Sequence, residues 1–322
     1  MGVPPAPPST YVMVSGKVWA LVAFGIAVLT AAPLLAQQPA APPKPAPAKP
    51  DFAAAATRIT FSGFGGPNAN HPEAIAMIKT WKEKLPVMLE HIYDMTGMHL
   101  PANGRAFVQL INGNGELSYG LTKRVGGGCH ITMSVGNIIQ HRKNPYHMFQ
   151  HELVHVMLIY WMQGRDRMYP LWIHEGVASF VGGNGPDFVR MYFLMYRGKY
   201  GGDPDKTARF MLNGFFKHVY PLDYAEEYLG FLYMWETWGR AGFQQFIREI
   251  TVGGQPWDSP IIKLSRMSAQ DFNSAAYNFA YQYIQDLAAE IKKEEAAKKT
   301  KLETPKPDDD PAELEKKNPE TK

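Results

Sequence analysis

One cysteine, Cys129, stands in 322 residues. That excludes an intramolecular disulfide framework and any zinc site built on two or four cysteines, so stability must come from packing or from a metal held by other ligands. An excess of charge of one sign is missing too: 33 Lys and Arg face 30 Asp and Glu, a formal +3. Most of that excess lies in the head of the chain, where Lys17, Lys44 and Lys49 face only Asp51. The remainder is nearly neutral and has no Lys/Arg stripe, so the footprint of phosphate-backbone binding is lacking and nucleic acid is not an expected partner. Internal repeats are lacking as well. Apolar and aromatic residues are plentiful, at 45% and 12%, enough to build a core for one large domain or two subdomains within residues 57–290.

Long hydrophobic runs occur only near the N-terminus. Lys17 is followed by 26 uncharged residues that include the apolar run from Val18 to Ala32, then Pro33-Leu34-Leu35-Ala36-Gln37. A charged start, an apolar centre and a small residue at the cut predict a signal peptide over residues 1–36, hence a secreted or periplasmic protein. An uncleaved anchor, for which the run is short, is the alternative, and membrane contact is expected only through that segment. Translation from Met13 would place an ordinary Met-Val-Ser-Gly-Lys ahead of the apolar run. Residues 37–56 are rich in Pro and Ala and predict a linker. Residues 291–322, with nine basic and nine acidic side chains, predict a solvated, disordered tail.

Between these ends the pattern changes midway. A short strand at Ile59-Thr60-Phe61 precedes a helical stretch from His71 to about Met98, which Pro86 is expected to interrupt and restart. Strand-like segments follow at Ala106 to Ile111, Leu117 to Thr122 and Cys129 to Val135, separated by Asn- and Gly-rich turns. The last of these lies beside Gly126-Gly127-Gly128, and its position together with the resemblance given below implies a sheet edge where an extended peptide could pair with it. From residue 136 the periodicity is helical. Asn144-Pro145 starts a helix of about 145–162, with Gly164 as its stop. Further helices are expected at Leu171 to Phe180, Phe188 to Tyr196, Asp223 to Trp238, and after Ser268, with an apolar face of Phe272, Ala276, Phe279, Tyr283 and Leu287. The expected fold is α+β: a small mixed sheet with helices (57–164) meeting a mostly helical part (165–290).

The chemistry concentrates in His151-Glu152-Leu153-Val154-His155, inside the 145–162 helix. Histidines four residues apart project from one helical face, so both imidazoles can converge on one zinc ion, with Glu152 beside the open position to take a proton from water. Twenty residues on, Trp172-Ile173-His174-Glu175-Gly176-Val177-Ala178-Ser179 lies on a second helix reached by a short turn, which can return Glu175 to the same metal. Two His and one Glu leave a fourth tetrahedral position for water, as catalytic rather than structural zinc sites do.

With both motifs in place, the sequence resembles the gluzincin metallopeptidases, the thermolysin-like clan, and within it the peptidase MA-like domains. The resemblance covers about residues 60–290 and rests on the pairing of His-Glu-x-x-His with Trp-x-x-Glu-Gly-x-Ala. It implies one zinc per chain held by His151, His155 and Glu175, Glu152 as general base, and a thermolysin-like zincin fold with the metal in the cleft between the two parts. It also implies that a tyrosine on the later helix, Tyr224 by its spacing or else Tyr228, donates to the transition-state oxyanion. The chain departs from the family pattern at His174, where Asn is usual, and at Ser179, where an acid is usual, so no acid orienting a histidine ligand is identifiable. The strand at 129–135 carries no acidic residue to capture a free substrate amine, which points away from an aminopeptidase. The expected function is therefore an exported zinc metallopeptidase acting on peptide or protein substrates. The alternative is an inactive zinc-binding envelope protein that uses the cleft to bind peptides or a partner, and a non-peptide amide substrate also fits the chemistry.

Several neighbours carry plainer expectations. His147 lies too far along the helix to share the same tetrahedron. His130 and His174 either line the cleft or are partly buried imidazoles. Cys129 reads as a buried thiol, and the cluster Met191 to Tyr196 as helical core.

Overall fold

Strand β2 (Ala106–Ile111) alternates Ala106, Val108 and Leu110 inward with Phe107 and Gln109 outward, the two-residue period of a sheet with one face on the core. The computed structural model describes residues 48–62, 71–113, 119–165, 169–213 and 223–303. The signal segment and most of the linker therefore lie outside the described residues. Everything described from Lys49 onward belongs to one compact unit. Strand β2 joins β1 (Ile59–Phe61), β3 (Gly120–Val125) and β4 (Gly128–Ser134) in a mixed sheet of order β1-β2-β4-β3. The β1–β2 and β2–β4 pairs are parallel, and β3–β4 is antiparallel.

This order corrects the expected edge. Strand β4, the 129–135 segment, is interior, with Ala106 opposite Cys129 on one side and Thr122 opposite Ile131 on the other. The two edges are β1 and, beyond β4, β3. Its Lys123, Arg124 and Val125 are exposed, and charged side chains suit an edge, whereas β4 buries Cys129, Ile131 and Met133. The expected 117–122 strand is shifted to 120–125, and residues 117 and 118 lie outside the described residues.

Helix α1 (Phe52–Ala56) is capped by Asp51, whose carboxylate accepts from Ala54 N at 2.9 Å. Its Ala55 is buried, and the Phe52 ring lies 5.6 Å from that of Tyr93, so the expected linker ends before residue 52. Helix α2 (Pro72–Thr96) runs unbroken through Pro86. A mid-helix proline costs about 3 kcal/mol, but Trp81, Leu85, Met88, Leu89 and Ile92 are buried on either side of it. Burying a large apolar side chain contributes about 1.5–3 kcal/mol, which keeps the two halves in register.

After α3 (Val135–Gln140), helix α4 (Pro145–Met162) passes through the middle of the molecule. Asn144 caps it, accepting from Tyr146 N at 3.0 Å and His147 N at 3.4 Å. It ends in left-handed Gln163, one residue before the expected Gly164. Residues from Met148 to Met162 are buried on nearly all sides, the mark of a helix surrounded by other elements. Helix α5 (Leu171–Gly182) stops at left-handed Gly183. Helix α6 (Gly185–Arg197) and α7 (Pro204–Met211) follow, joined through a 3-10 turn at Gly198–Tyr200. Helix α8 (Asp223–Thr251) was expected to end at Gly239. It is broken there, at φ 63° and ψ −178°, but resumes to Thr251.

Helices α9 (Asp258–Ser265) and α10 (Ala269–Glu303) complete the helical half. Helix α10 starts at the Ser268–Asp271 cap and buries Phe272, Ala276, Ala280 and Ile284. The tail expected from residue 291 is helical to 303. Ile291 is buried, Glu294 pairs with Arg190 at 2.5 Å, and Glu295 pairs with Arg197. Among the described residues no helix is long and apolar enough to cross a membrane.

Candidate metal centre

Three ligand atoms meet where α4 and α5 cross. His151 Nε2 and His155 Nε2 are 3.1 Å apart, and Glu175 Oε2 lies 3.2 Å from the first and 3.4 Å from the second. A tetrahedral zinc with ligands at about 2.0–2.1 Å separates adjacent ligand atoms by about 3.3–3.4 Å. The donor set thus fits a single divalent ion. Among the described residues His151, His155 and Glu175 form the one cluster able to hold a metal.

The close crossing depends on a missing side chain. A Cβ on Gly182 would lie 2.9 Å from the His151 Cα, so glycine lets the end of α5 rest on α4 at the histidine. Just beyond it, buried Asn184 occupies the position before α6 and turns its side chain to the other nitrogen of the ring rather than to the helix's own N–H groups. His151 Nδ1 is 3.4 Å from Asn184 Oδ1 and 3.2 Å from Nδ2. Were Nε2 to bind a metal, Nδ1 would keep its hydrogen and donate a hydrogen bond to Oδ1. Asn184, not Ser179, is thus the polar side chain that contacts the His151 ring. Ser179 is fully buried and its Oγ has no hydrogen-bond partner. A single polar side chain nine residues beyond Glu175 gives no periodic signal, and only its place just after Gly183, where α5 stops, hints at it.

The electrostatics of the trio are those of a cation site. Burial alone would push the His155 imidazolium down, but the Glu175 carboxylate outweighs it and raises the group to about 9. Burial pushes Glu175 upward, and the two histidines more than offset it, holding the carboxyl well below the usual range. A divalent cation held by these three groups would replace that proton.

Glu152 lies on the same helix, one residue after His151, and reaches the edge strand. Thr122 Oγ1 donates to Glu152 Oε2 at 2.6 Å. Gly120, next on the same face of β3, gives the carboxylate room: a Cβ there would sit 2.3 Å from Oε1. Neither Gly120 nor Thr122 was singled out from sequence, since their role follows only once β3 is the edge. Across the cleft, Tyr224 on α8 packs on Phe188 at 5.0 Å and lies 6.3 Å from the His151 ring. Burial raises its phenol above the ordinary value, reinforced by Glu175, so it stays protonated. Tyr228 instead packs against Phe180 and Tyr283 and is not part of the cavity wall. Of the two tyrosines, the structure brings Tyr224 to the site.

The trio, Glu152 and Tyr224 line a cavity of about 610 Å³ together with Gly120, Thr122, His174 and the apolar walls Leu121, Ile159, Tyr169 and Leu171. His174 thus reaches the cleft. His130 does not: on β4 it alternates with the core residues Cys129 and Ile131 and pairs in register with exposed Phe107 and Lys123. His147 packs beside Tyr146 and stands outside the ligand trio. Cys129 is buried, as expected. In the Met191 to Tyr196 cluster Tyr192 and Phe193 are buried, whereas Leu194 and Met195 are exposed.

Comparison with protein-family models, with curated proteins and with solved structures returns no match to this chain.

Proposed function

We propose that this chain is a zinc-dependent metallopeptidase of the gluzincin type, with a thermolysin-like arrangement of its α+β fold, exported by its N-terminal segment. The observation that carries the reading is the spacing of the three ligand atoms, 3.1, 3.2 and 3.4 Å, with a carboxylate held one residue away. The donor set of two imidazoles and one carboxylate suits zinc and leaves a position open, although related divalent ions take the same ligands. When bound, zinc supplies Lewis acidity, making water a better acid and polarising a carbonyl.

The chain's own residues do the rest. Glu152, held by Thr122, accepts a proton from the attacking water and returns it to the leaving amine. Tyr224, kept protonated by its surroundings, donates to the carbonyl oxygen as negative charge develops there. Removing one such donor typically costs about 100- to 1,000-fold in rate. Strand β3, the last strand of the sheet, offers its edge to an extended peptide, and Leu121, Ile159 and Leu171 give apolar contacts for its side chains. Among the described residues the cavity wall holds no acid besides Glu152 and Glu175, so nothing on it would anchor a free amine, and internal cleavage is favoured over aminopeptidase action.

The test is hydrolysis of an internally quenched peptide library by the zinc-loaded full chain and by Glu152→Gln. The reading requires cleavage by the first and a loss of at least about a thousandfold in the second. Zinc bound equally in both with no cleavage by either would leave an inactive peptide-binding protein.

A further inference from the structure

Lys143 lies in the turn between α3 and α4, directly before the Asn144 cap. Its backbone is fixed: Lys143 N donates to Ile138 O at 3.0 Å, and Arg142 before it is left-handed at φ 49°. The side chain enters a half-buried slot between two aromatic rings. Nζ lies 5.5 Å from the Tyr119 ring centre and 5.8 Å from that of Phe188, with Met191 Sδ at 3.1 Å. A thioether is a weak acceptor for one of three ammonium hydrogens. Among the described residues no carboxylate stands within ion-pair distance of this cation, and the acid that acts on it at longer range is Asp187 in the first turn of α6. Burial lowers its pKa from the ordinary value, the consequence of an ammonium partly stripped of water.

Both flanking rings connect to the cleft. Tyr119 immediately precedes Gly120, which touches the Glu152 carboxylate. Phe188 packs on Tyr224, which faces His151. The ammonium thus stands outside the cavity wall, beside the residue that leads into β3 and behind the ring that backs Tyr224, while the cavity carries Ile159, Tyr169 and Leu171 on its apolar walls. Among the described residues no Lys or Arg lines the cavity itself. A helix rises about 1.5 Å per residue, so Pro145 at the start of α4 lies about 9 Å along the axis from His151, and Lys143 precedes it by two residues in the turn. An extended peptide advances about 3.3 Å per residue, which places the ammonium about two to four residues from the reacting bond once its own reach is allowed for.

We propose that Lys143 is a substrate-binding residue that selects peptides carrying a carboxylate at this distance from the bond presented to Glu152; its substrate is a peptide only because the peptidase reading above makes it one. The carboxylate replaces lost hydration around the ammonium with a charge-assisted hydrogen bond, and the two rings restrict the side chain so that little is lost in ordering it. Two sources supply that chemistry: the C-terminal carboxylate of a short peptide and an Asp or Glu side chain within a longer one.

The test uses the zinc-loaded full chain carrying Glu152→Gln, so that binding is read without turnover, and labelled peptide pools of one length. One pool has a free C-terminus, one is amidated without acidic residues, and one is amidated with a single Glu at each position in turn. Fluorescence anisotropy is expected to show at least one carboxylate pool binding about ten- to a hundredfold tighter than the uncharged pool. Lys143→Met brings it down to the uncharged pool, and Lys143→Arg keeps most of the preference, with thermal unfolding confirming that both variants fold. The pool that binds tighter identifies the source of the carboxylate. Equal binding of all pools, no binding of any, or a preference that survives Lys143→Met overturns the proposal. Cleavage of the same pools by the wild-type chain is scored separately. Failure to cut with the Lys143-dependent preference intact would sink the peptidase reading and leave the carboxylate site standing.

Discussion

Thr122 donates a 2.6 Å hydrogen bond to Glu152 Oε2, tying the edge strand to the residue that stands beside the metal position. The bond fixes which carboxylate oxygen is occupied and leaves Oε1 on the Gly120 side. Thr122→Val is expected to keep the metal and lower kcat/KM by about ten- to a hundredfold, the effect of a misplaced base. Thr122→Ser should restore most of it. Gly120→Ala is expected to cost at least as much, since its Cβ would occupy the carboxylate's place. Steady-state kinetics with metal analysis of each variant check this, and a loss of metal would reassign Thr122 to the ligand framework.

Asn184 is expected to control affinity rather than proton transfer. Removing the group that orients a histidine ligand typically weakens metal binding by about 10- to 100-fold. Asn184→Ala should do so in a chelator competition, while Asn184→Asp, which still accepts from Nδ1–H, should retain or strengthen binding. An unchanged dissociation constant in Asn184→Ala would remove the residue from this role.

Metal binding must displace the proton that Glu175 holds on His155. In the metal-free protein His155 is raised from 6.5 to about 9. Its ion pair therefore stabilises that form fully below about pH 6.5 and is lost as pH rises through 9. The metal-bound form needs the free lone pair, so the sign reverses for affinity. The dissociation constant should fall about tenfold per pH unit from pH 6 to 8 and level off near 9. Isothermal titration in buffers of different ionisation enthalpy would also detect about one proton released per ion bound. A flat profile over that range would contradict the assignment.

The end of α10 is expected to matter for stability. Ile291 is buried at 2% exposure, and truncating a buried isoleucine to alanine costs about 2–5 kcal/mol. Ile291→Ala should lower Tm by several degrees, and a chain ending at residue 290 by at least as much. The partly exposed pairs Arg190–Glu294 and Arg197–Glu295 add less beside it. Calorimetry on the three proteins decides, and an unchanged Tm would return this stretch to a solvated tail.

What was legible in the sequence was local. His151 and His155 share a helical face because four residues make about one turn, and Asn144-Pro145 announces the start of that helix. Glu175 follows from a second helix joined by a short turn. The edge strand was not legible, because whether β3 or β4 lies outside depends on β4 pairing with a strand more than twenty residues earlier. Asn184 was missed because its partner is 33 residues away. Helix α10 was cut short because its apolar face thins to Ile291 after residue 290 and its acids find arginines about a hundred residues back. The choice between Tyr224 and Tyr228 needed the three-dimensional position of α8. Spacing brings the His151, His155 and Glu175 trio together, while the contacts around it come from pairings no local pattern encodes.

Elemental analysis of the purified full chain and of Glu175→Ala, each exposed to zinc and then dialysed, tests the central claim most directly. About one zinc per wild-type chain and a sharply reduced content in the variant is the predicted result. No retained metal in the wild type after zinc is added back, or equal retention in Glu175→Ala, would contradict it.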